Sequence, residues 1–231
     1  MTTETYDIKY IGKERQPVVI IDDFFSRPDV LINEAKLSRF EPRGRFYPGI
    51  RAPGNVNYLA ENMALLTNIL KDVFEIEQGV RVIECNFSLV TTAPEDLQPI
   101  QCLPHYDGLD TGRFALLHYL SAKDKGGTAF YRHRQTGFET ITDERFERYK
   151  TTLEAEAKVN GLPMKQYFNE SSDQFEQLLK IEARPNRMII YRSVTLHSGY
   201  IPESFDFTSD VDAGRLTLNT FLQDKNSASQ S

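Results

Sequence analysis

Leu103-Pro104-His105-Tyr106-Asp107 puts an imidazole and a carboxylate two residues apart, directly behind a proline. In an extended strand residues i and i+2 point to the same face, so His105 and Asp107 can hold one cation from a single short strand. A third ligand from elsewhere would complete a facial triad of two histidines and one carboxylate with open positions, the donor set that suits a non-haem Fe(II) centre. The candidate is His197, in Val194-Thr195-Leu196-His197-Ser198-Gly199, just after the apolar run Met188-Ile189-Ile190-Tyr191 that reads as a buried strand. A His-x-Asp triplet alone carries little weight, because most are surface polar residues or satisfied core histidines.

The surroundings of the triplet are rich in strand patterns. Upstream, Val80 to Val90 reads as a strand, and Thr91 to Ile100 as an acidic, proline-containing loop leading to it. Downstream, Phe114 to Leu120 is apolar on nearly both faces, which predicts a central strand, and Gly126-Gly127 turns the chain into Thr128-Ala129-Phe130-Tyr131. Residues 132 to 184 then become densely charged with few β-branched residues. Asp143 to Val159 has helix-forming composition with Gly161 and Pro163 as a stop, and a second helix is expected around Asp173 to Ile181. This segment holds too few large apolar residues for a core of its own, so it reads as a helical insertion between two strands. Strands resume at Arg187 to Tyr191, His197 to Ile201, and Arg215 to Leu222, the last alternating through Leu216, Leu218, Thr220 and Leu222. Asn226 to Ser231 is a polar tail expected to be disordered.

Nearer the start, Pro17 to Ile21 reads as a strand running into a turn. Ser26 with Asp29 predicts a capping-box start for a helix from Pro28 to Phe40, with Val30, Leu31, Ala35 and Leu37 on one face. Glu41 to Asn55, punctuated by three prolines and three glycines, reads as a long loop whose Arg43, Arg45, Tyr47 and Arg51 suggest contacts to an anionic or peptide substrate. Tyr58 to Phe74 has apolar residues at three- and four-residue spacing, the signature of an amphipathic helix.

Composition narrows the function. The 231 residues suit one domain, 1–231, with core strands about 80–222 and the insertion about 132–184. A net charge of -6 disfavours nucleic acid, whose binding relies on basic patches that release counterions. Cys85 and Cys102 have neither zinc nor disulfide-framework spacing, and read as small buried residues. Met1 to Tyr10 carries no apolar signal region, and no apolar run reaches membrane-spanning length. A soluble, cytoplasmic protein in a reducing compartment, without membrane contact, is expected.

With these elements in place, the order of strands and helices is similar to the double-stranded β-helix, or jelly roll, of the Fe(II)/2-oxoglutarate dioxygenases, and most resembles the prolyl 4-hydroxylase branch. The likeness rests on Pro104-His105-Tyr106-Asp107, on Tyr119-Leu120-Ser121 followed by Gly126-Gly127-Thr128 and Phe130, on Leu196-His197-Ser198-Gly199, and on Arg215-Leu216-Thr217. Val19-Ile20-Ile21-Asp22-Asp23-Phe24 also resembles the family's opening strand, and Phe130 to Phe138 resembles a bacterial family of unknown function related to prolyl hydroxylases.

The resemblance implies a mainly β fold with flanking helices, Fe(II) held by His105, Asp107 and His197, 2-oxoglutarate as cosubstrate and O2 as oxidant. It assigns the far carboxylate of 2-oxoglutarate to Arg215, whose planar fork makes two parallel charge-assisted hydrogen bonds, with Tyr119 and Thr217 as further donors. His197 and Arg215 lie 215 − 197 = 18 residues apart, farther than the family usually places them, so Arg187 and Arg192 stay open as alternative clamps. His118, on the face opposite Tyr119, is expected to be packed and hydrogen-bonded; His133, at a strand end near the mouth, either touches substrate or is solvated. The implied activity is hydroxylation of an unactivated C–H bond in a peptide or small molecule, with release of succinate and CO2. Rivals are a metal-dependent hydrolase or cupin-like isomerase on a similar barrel, and a non-catalytic binding module.

Overall fold

The computed structural model describes residues 5–44, 46–121 and 125–227. Among the described residues eleven strands and three α-helices follow in the order β1 (Asp7–Ile11), β2 (Gln16–Ile21), α1 (Pro28–Leu37), β3 (Glu41–Pro42), β4 (Gly49–Pro53), α2 (Met63–Asp72), β5 (Val80–Val90), β6 (Arg113–Tyr119), β7 (Gly127–His133), α3 (Asp143–Asn160), β8 (Phe175–Glu182), β9 (Arg187–Arg192), β10 (His197–Tyr200) and β11 (Leu216–Asp224). They form an antiparallel eight-stranded sheet, ordered β1-β2-β9-β6-β11-β5-β4-β3, and a three-stranded sheet, β10-β7-β8. No described helix is long and apolar enough to cross a membrane.

The apolar alternation of the strands decides what each face of the large sheet does. Phe114, Leu116, Phe87, Leu89, Leu216, Leu218, Met188 and Ile190 form the outer face and pack under Leu31 and Ala35 of α1 and Leu65, Leu66, Ile69 and Leu70 of α2. The opposite face turns Ala115, Tyr119, Ile189, Tyr191 and Phe221 toward Phe130 and Ile181 of the small sheet. β6 is flanked by β9 and β11, as its two apolar faces require.

Several expectations change. The predicted helix over Asp173 to Ile181 is strand β8: Phe175 and Ile181 are buried, and the segment pairs with β7 from Gly127↔Glu182 to His133↔Phe175. A short charged-apolar run is ambiguous between helix and strand, and the waiting edge of β7 resolves it. The insertion proper is therefore α3 with its flanking loops. The Glu41 to Asn55 loop contains β3 and β4, with β4 paired to β5 from Gly49↔Val90 to Pro53↔Asn86. Its prolines sit at strand ends or in β3 at the sheet's edge, where a missing N–H is tolerated. At Gly49 a side chain would meet the Leu89 carbonyl oxygen at 2.0 Å, so glycine permits this approach rather than marking a loop.

At α1 the Ser26 capping box does not form: the N-cap is Arg27 without a side-chain bond, and Ser26 instead bonds through its N–H and Oγ to the Glu61 carboxylate. Leu37 is 90% and Val30 42% exposed, so only Leu31 and Ala35 of the predicted stripe are buried. The Tyr58 to Phe74 helix divides into a 3-10 turn, Val56–Asn62, and α2. β1 was not apparent in the polar lead, whose alternating Asp7 and Lys9 suit an exposed edge strand. Most of the Asn226 to Ser231 tail lies outside the described residues. Both cysteines are free; Cys102 is buried and Cys85 half-buried.

Candidate metal centre

His105 and Asp107 lie on a loop rather than in a strand, but the loop is extended and pinned to the segment that carries His197. The His105 N–H donates to the His197 carbonyl at 2.7 Å, the His197 N–H to the His105 carbonyl at 2.8 Å, and the Asp107 N–H to the Ser193 carbonyl at 2.8 Å. These bonds act like one rung of a β-ladder and turn both side chains to the same side. From behind, the loop is braced by the insertion: Leu103, Tyr106 and Leu109 share one apolar cluster with Phe146, Tyr149 and Leu153 of α3, and Tyr106 lies edge-on to Tyr149 at 6.2 Å.

One ligand atom from each of His105, Asp107 and His197 falls within 4.8 Å of the others. Asp107 Oδ2 is 3.4 Å from His197 Nε2, and Asp107 Oδ1 is 3.8 Å from His105 Nε2. His197 Nδ1 contacts the Thr195 carbonyl at 2.8 Å; since a carbonyl only accepts, Nδ1 carries the proton and Nε2 offers its lone pair toward Asp107. The His197 side chain is 6% exposed, Asp107 20% and His105 51%, a graded opening from a buried floor to an accessible mouth. Desolvation by the surrounding walls, then the His197 ring, hold His105 below its ordinary pKa; the open side of the ring limits how far. The neutral imidazole thus favoured is the form that binds a metal. Two surface hollows among the described residues, about 290 Å³ beside Lys9 and Lys180 and about 380 Å³ beside Glu14 and Arg145, are lined by none of the three.

Behind the three ligands the inner face carries buried polar groups. Tyr191 lies 4.9 Å from the His197 ring, and its phenol, raised well above the usual value by burial and then by the Asp107 charge, is also within reach of the Arg215 charge. Arg215, 4% exposed, lies over the Tyr119 ring at 5.6 Å and donates from Nη2 to the Gly127 carbonyl at 2.8 Å. Its Nε and Thr217 Oγ1 are buried without partners among the described residues, as is Ser121 Oγ. The Tyr119 hydroxyl is 2.7 Å from Thr128 Oγ1. Pairing puts Arg51, Ser88, Thr217, Tyr119 and Arg187 in one row across the sheet.

The alternative clamps Arg187 and Arg192 are committed elsewhere. Arg187 makes a forked pair with Asp22 at 2.6 and 2.8 Å, and Arg192 donates to the Thr111 and Phe74 carbonyls. Arg43 pairs with Glu41 on the exposed edge, and Arg45 lies outside the described residues. His118 is fully buried, stacked on Tyr58 with Nε2 3.0 Å from Asn186 Oδ1, on the face away from Tyr119. His133 is neither solvated nor at the mouth: it is fully buried against Tyr149 and Phe175, bonded to Thr136 and Glu156. Sequence reasoning missed Tyr191, hidden in an apolar run, and Ser88 and Asn219, whose shared face depends on strand register. The polar Asn86 and Ser88 alternating with apolar residues in β5 were the available signal.

A metal suits this donor set, and an anion suits the unused Arg215 Nε and Thr217 Oγ1 behind it. Solved structures share the fold. The non-haem α-ketoglutarate-dependent epimerase SnoN of nogalamycin biosynthesis is 11% identical, with a TM-score of 0.52 over 91% of this chain and 79% of that one. Iron-bound HygX from Streptomyces hygroscopicus is 12% identical, with a TM-score of 0.51 over 92% and 84%. The non-haem α-ketoglutarate-dependent carbocyclase SnoK is 10% identical, with a TM-score of 0.51 over 91% and 81%. At these identities the likeness is one of fold. Comparison with curated proteins finds no match. The family described as a family of unknown function, DUF6445, matches residues 2–222, and the chain belongs to it.

Proposed function

We propose that the chain is an Fe(II)- and 2-oxoglutarate-dependent oxygenase, a single domain on a jelly-roll core, that hydroxylates an unactivated C–H bond. The observation that carries this reading is a buried arginine with an unused donor, Arg215, behind a two-histidine, one-carboxylate cluster: the Tyr191 phenol, 4.9 Å from the His197 ring, lies within reach of both the Asp107 and the Arg215 charges. A metal-dependent hydrolase has no need of a buried carboxylate clamp, whereas a dicarboxylate cosubstrate requires one.

In this reading His105, Asp107 and His197 hold the metal, and Arg215, Thr217 and Tyr119 hold the far carboxylate of 2-oxoglutarate. Bound iron would supply the redox chemistry by which substrate C–H, 2-oxoglutarate and O2 become C–OH, succinate and CO2. The chain's own residues bind and orient. Thr195 fixes the His197 tautomer through its carbonyl. Asp107 leaves no vacancy for a halide, as halogenating relatives would need, which supports hydroxylation. Tyr191 and Phe130, packed edge to face at 5.2 Å, line the buried side with apolar carbon and exclude water from behind His197. The free cysteines fit a reducing, cytoplasmic compartment, and the likeness of Pro104-His105-Tyr106-Asp107 to the prolyl 4-hydroxylase branch supports placing the chain near that branch.

The test is titration of the Fe(II)-loaded chain with 2-oxoglutarate under nitrogen, followed by succinate measurement once oxygen is admitted. Saturable binding and slow succinate release are expected. No 2-oxoglutarate binding would overturn the reading in favour of a hydrolase or isomerase.

A further inference from the structure

The proposed chemistry leaves one wall of the inner face unused. β5 points Ser88, Asn86 and Glu84 to the same side, and register sets Asn86 beside Asn219, which in turn faces Leu117 of β6. The row opens toward solvent, from fully buried Ser88 to the Glu84 side chain at 38% exposure. Arg51 of β4 lies over the Tyr47 ring at 4.1 Å and brings Nη1 to 3.7 Å from Glu84 Oε1, too far for a hydrogen bond. Its Nε is buried and unpartnered among the described residues, and so is Asn219 Oδ1. Asn86 Nδ2 donates to Glu84 Oε1 at 2.5 Å, which steadies the carboxylate and leaves Oε2 without a hydrogen bond among the described residues. Register joins Arg51 through Ser88 to Thr217 and Tyr119, so this wall continues the row that carries the candidate cosubstrate anchor.

A buried guanidinium N–H without an acceptor is costly unless a ligand supplies one. Glu84 does not: a half-open pair without a hydrogen bond contributes little. The two opposite charges, side by side with free atoms on each, complement a ligand bearing a carboxylate and an ammonium on neighbouring atoms. An internal residue of a peptide has neither group free.

We propose that the primary substrate is a free α-amino acid, its carboxylate held by Arg51 and its ammonium by Glu84 and Asn219, with its side chain lying along Leu117 and Phe221. That it is the substrate rests on the oxygenase reading; that it binds does not.

The experiment takes the full chain without metal and measures saturation-transfer NMR against the proteinogenic L-amino acids, then calorimetric titration of the tightest. The same amino acid as its primary amide and as its N-acetyl derivative serves as the probe of each charge. We expect binding of the amino acid, at least tenfold weaker binding of both derivatives, and at least tenfold loss in Arg51→Met with partial recovery in Arg51→Lys. Glu84→Gln should lose affinity for the amino acid but not for its N-acetyl form. Affinity of Arg51→Met for 2-oxoglutarate in the presence of Fe(II) should be unchanged. The proposal is overturned if no amino acid binds, if the N-acetyl form or a peptide binds as tightly as the free amino acid, or if Arg51→Met loses 2-oxoglutarate. Amino-acid binding as expected in a chain that fails to bind 2-oxoglutarate would keep the pocket and remove the oxygenase.

Discussion

Replacing Arg215 by methionine should leave the metal-free chain at least as stable while removing most of its affinity for 2-oxoglutarate. Arg215 is 4% exposed, and its one hydrogen bond among the described residues goes from Nη2 to the Gly127 carbonyl. Among the described residues it has no ion-pair partner, and Nε is unsatisfied. Desolvating a charge costs several kcal/mol, and one bond from a charged donor returns only about 1.5 to 3 kcal/mol. Methionine keeps most of the volume and abolishes that cost, so the metal-free fold should gain between about 0 and 4 kcal/mol, the range seen when buried charges give way to apolar residues.

With a carboxylate in place the sign reverses. The fork makes two charge-assisted bonds of about 1.5 to 3 kcal/mol each, so its loss should cost about 3 to 6 kcal/mol, roughly a hundredfold to ten-thousandfold in affinity. Urea unfolding of the metal-free variant and anaerobic calorimetric titration of 2-oxoglutarate into the Fe(II)-loaded variant measure the two halves. If the variant loses stability and keeps its affinity, Arg215 is a structural residue and the assignment of the cosubstrate site is wrong.

Three further outcomes follow from the packing. Burial holds His118 at about 4, below its ordinary 6.5, so its contribution is complete above that ordinary value and is lost as pH falls from 6.5 toward 4; the difference amounts to about 3 kcal/mol, and urea midpoints across this range should flatten in His118→Gln. The fully buried Glu139 carboxylate accepts the Lys13 and Glu14 N–H groups at 2.9 Å each and pairs with Arg132. Glu139→Gln should therefore destabilise the chain by about 3 kcal/mol, near the low end for a broken buried pair because Arg132 retains Glu176, and thermal unfolding reads it. Tyr106→Ala removes the aromatic contact between the ligand loop and α3, and should weaken Co(II) binding about tenfold, the lower end for groups supporting metal ligands, with a smaller effect on unfolding; equal metal affinity would show that Tyr106 does not position the ligands.

The strands legible in the sequence were those whose residues are apolar for reasons of position. β5 spans Val80 to Val90 as expected, β6 reads as central because both of its neighbours bury it, and α3 is betrayed by composition and its glycine stop. Three candidate metal ligands meet because a His-x-Asp triplet and a distal histidine are short-range signals, readable without register. What failed depended on partners. β8 looked helical until β7 offered it an edge, β4 was masked by glycine and prolines that its position tolerates, and His133 looked solvent-facing because α3, which covers it, is distant in sequence. The row joining Arg51, Ser88, Thr217 and Tyr119 draws on four strands, and no window of sequence contains it.

β11 lies between β5 and β6 in the middle of the large sheet, although more than a hundred residues separate it from some of its partners, as in Thr220↔Cys85. During synthesis β5 and β6 emerge first, and their facing edges stay open until residues 216–224 arrive to fill the gap. The half-made sheet thus waits with two unpaired edges on largely apolar strands, a state that invites association with other chains and that chaperones are suited to shield. Closing such distant pairs is also entropically slow, so folding should be dominated by this last insertion. Arg215 and Thr217 arrive with the same strand, which means that the anchor for the cosubstrate can exist only in a chain whose sheet is already closed.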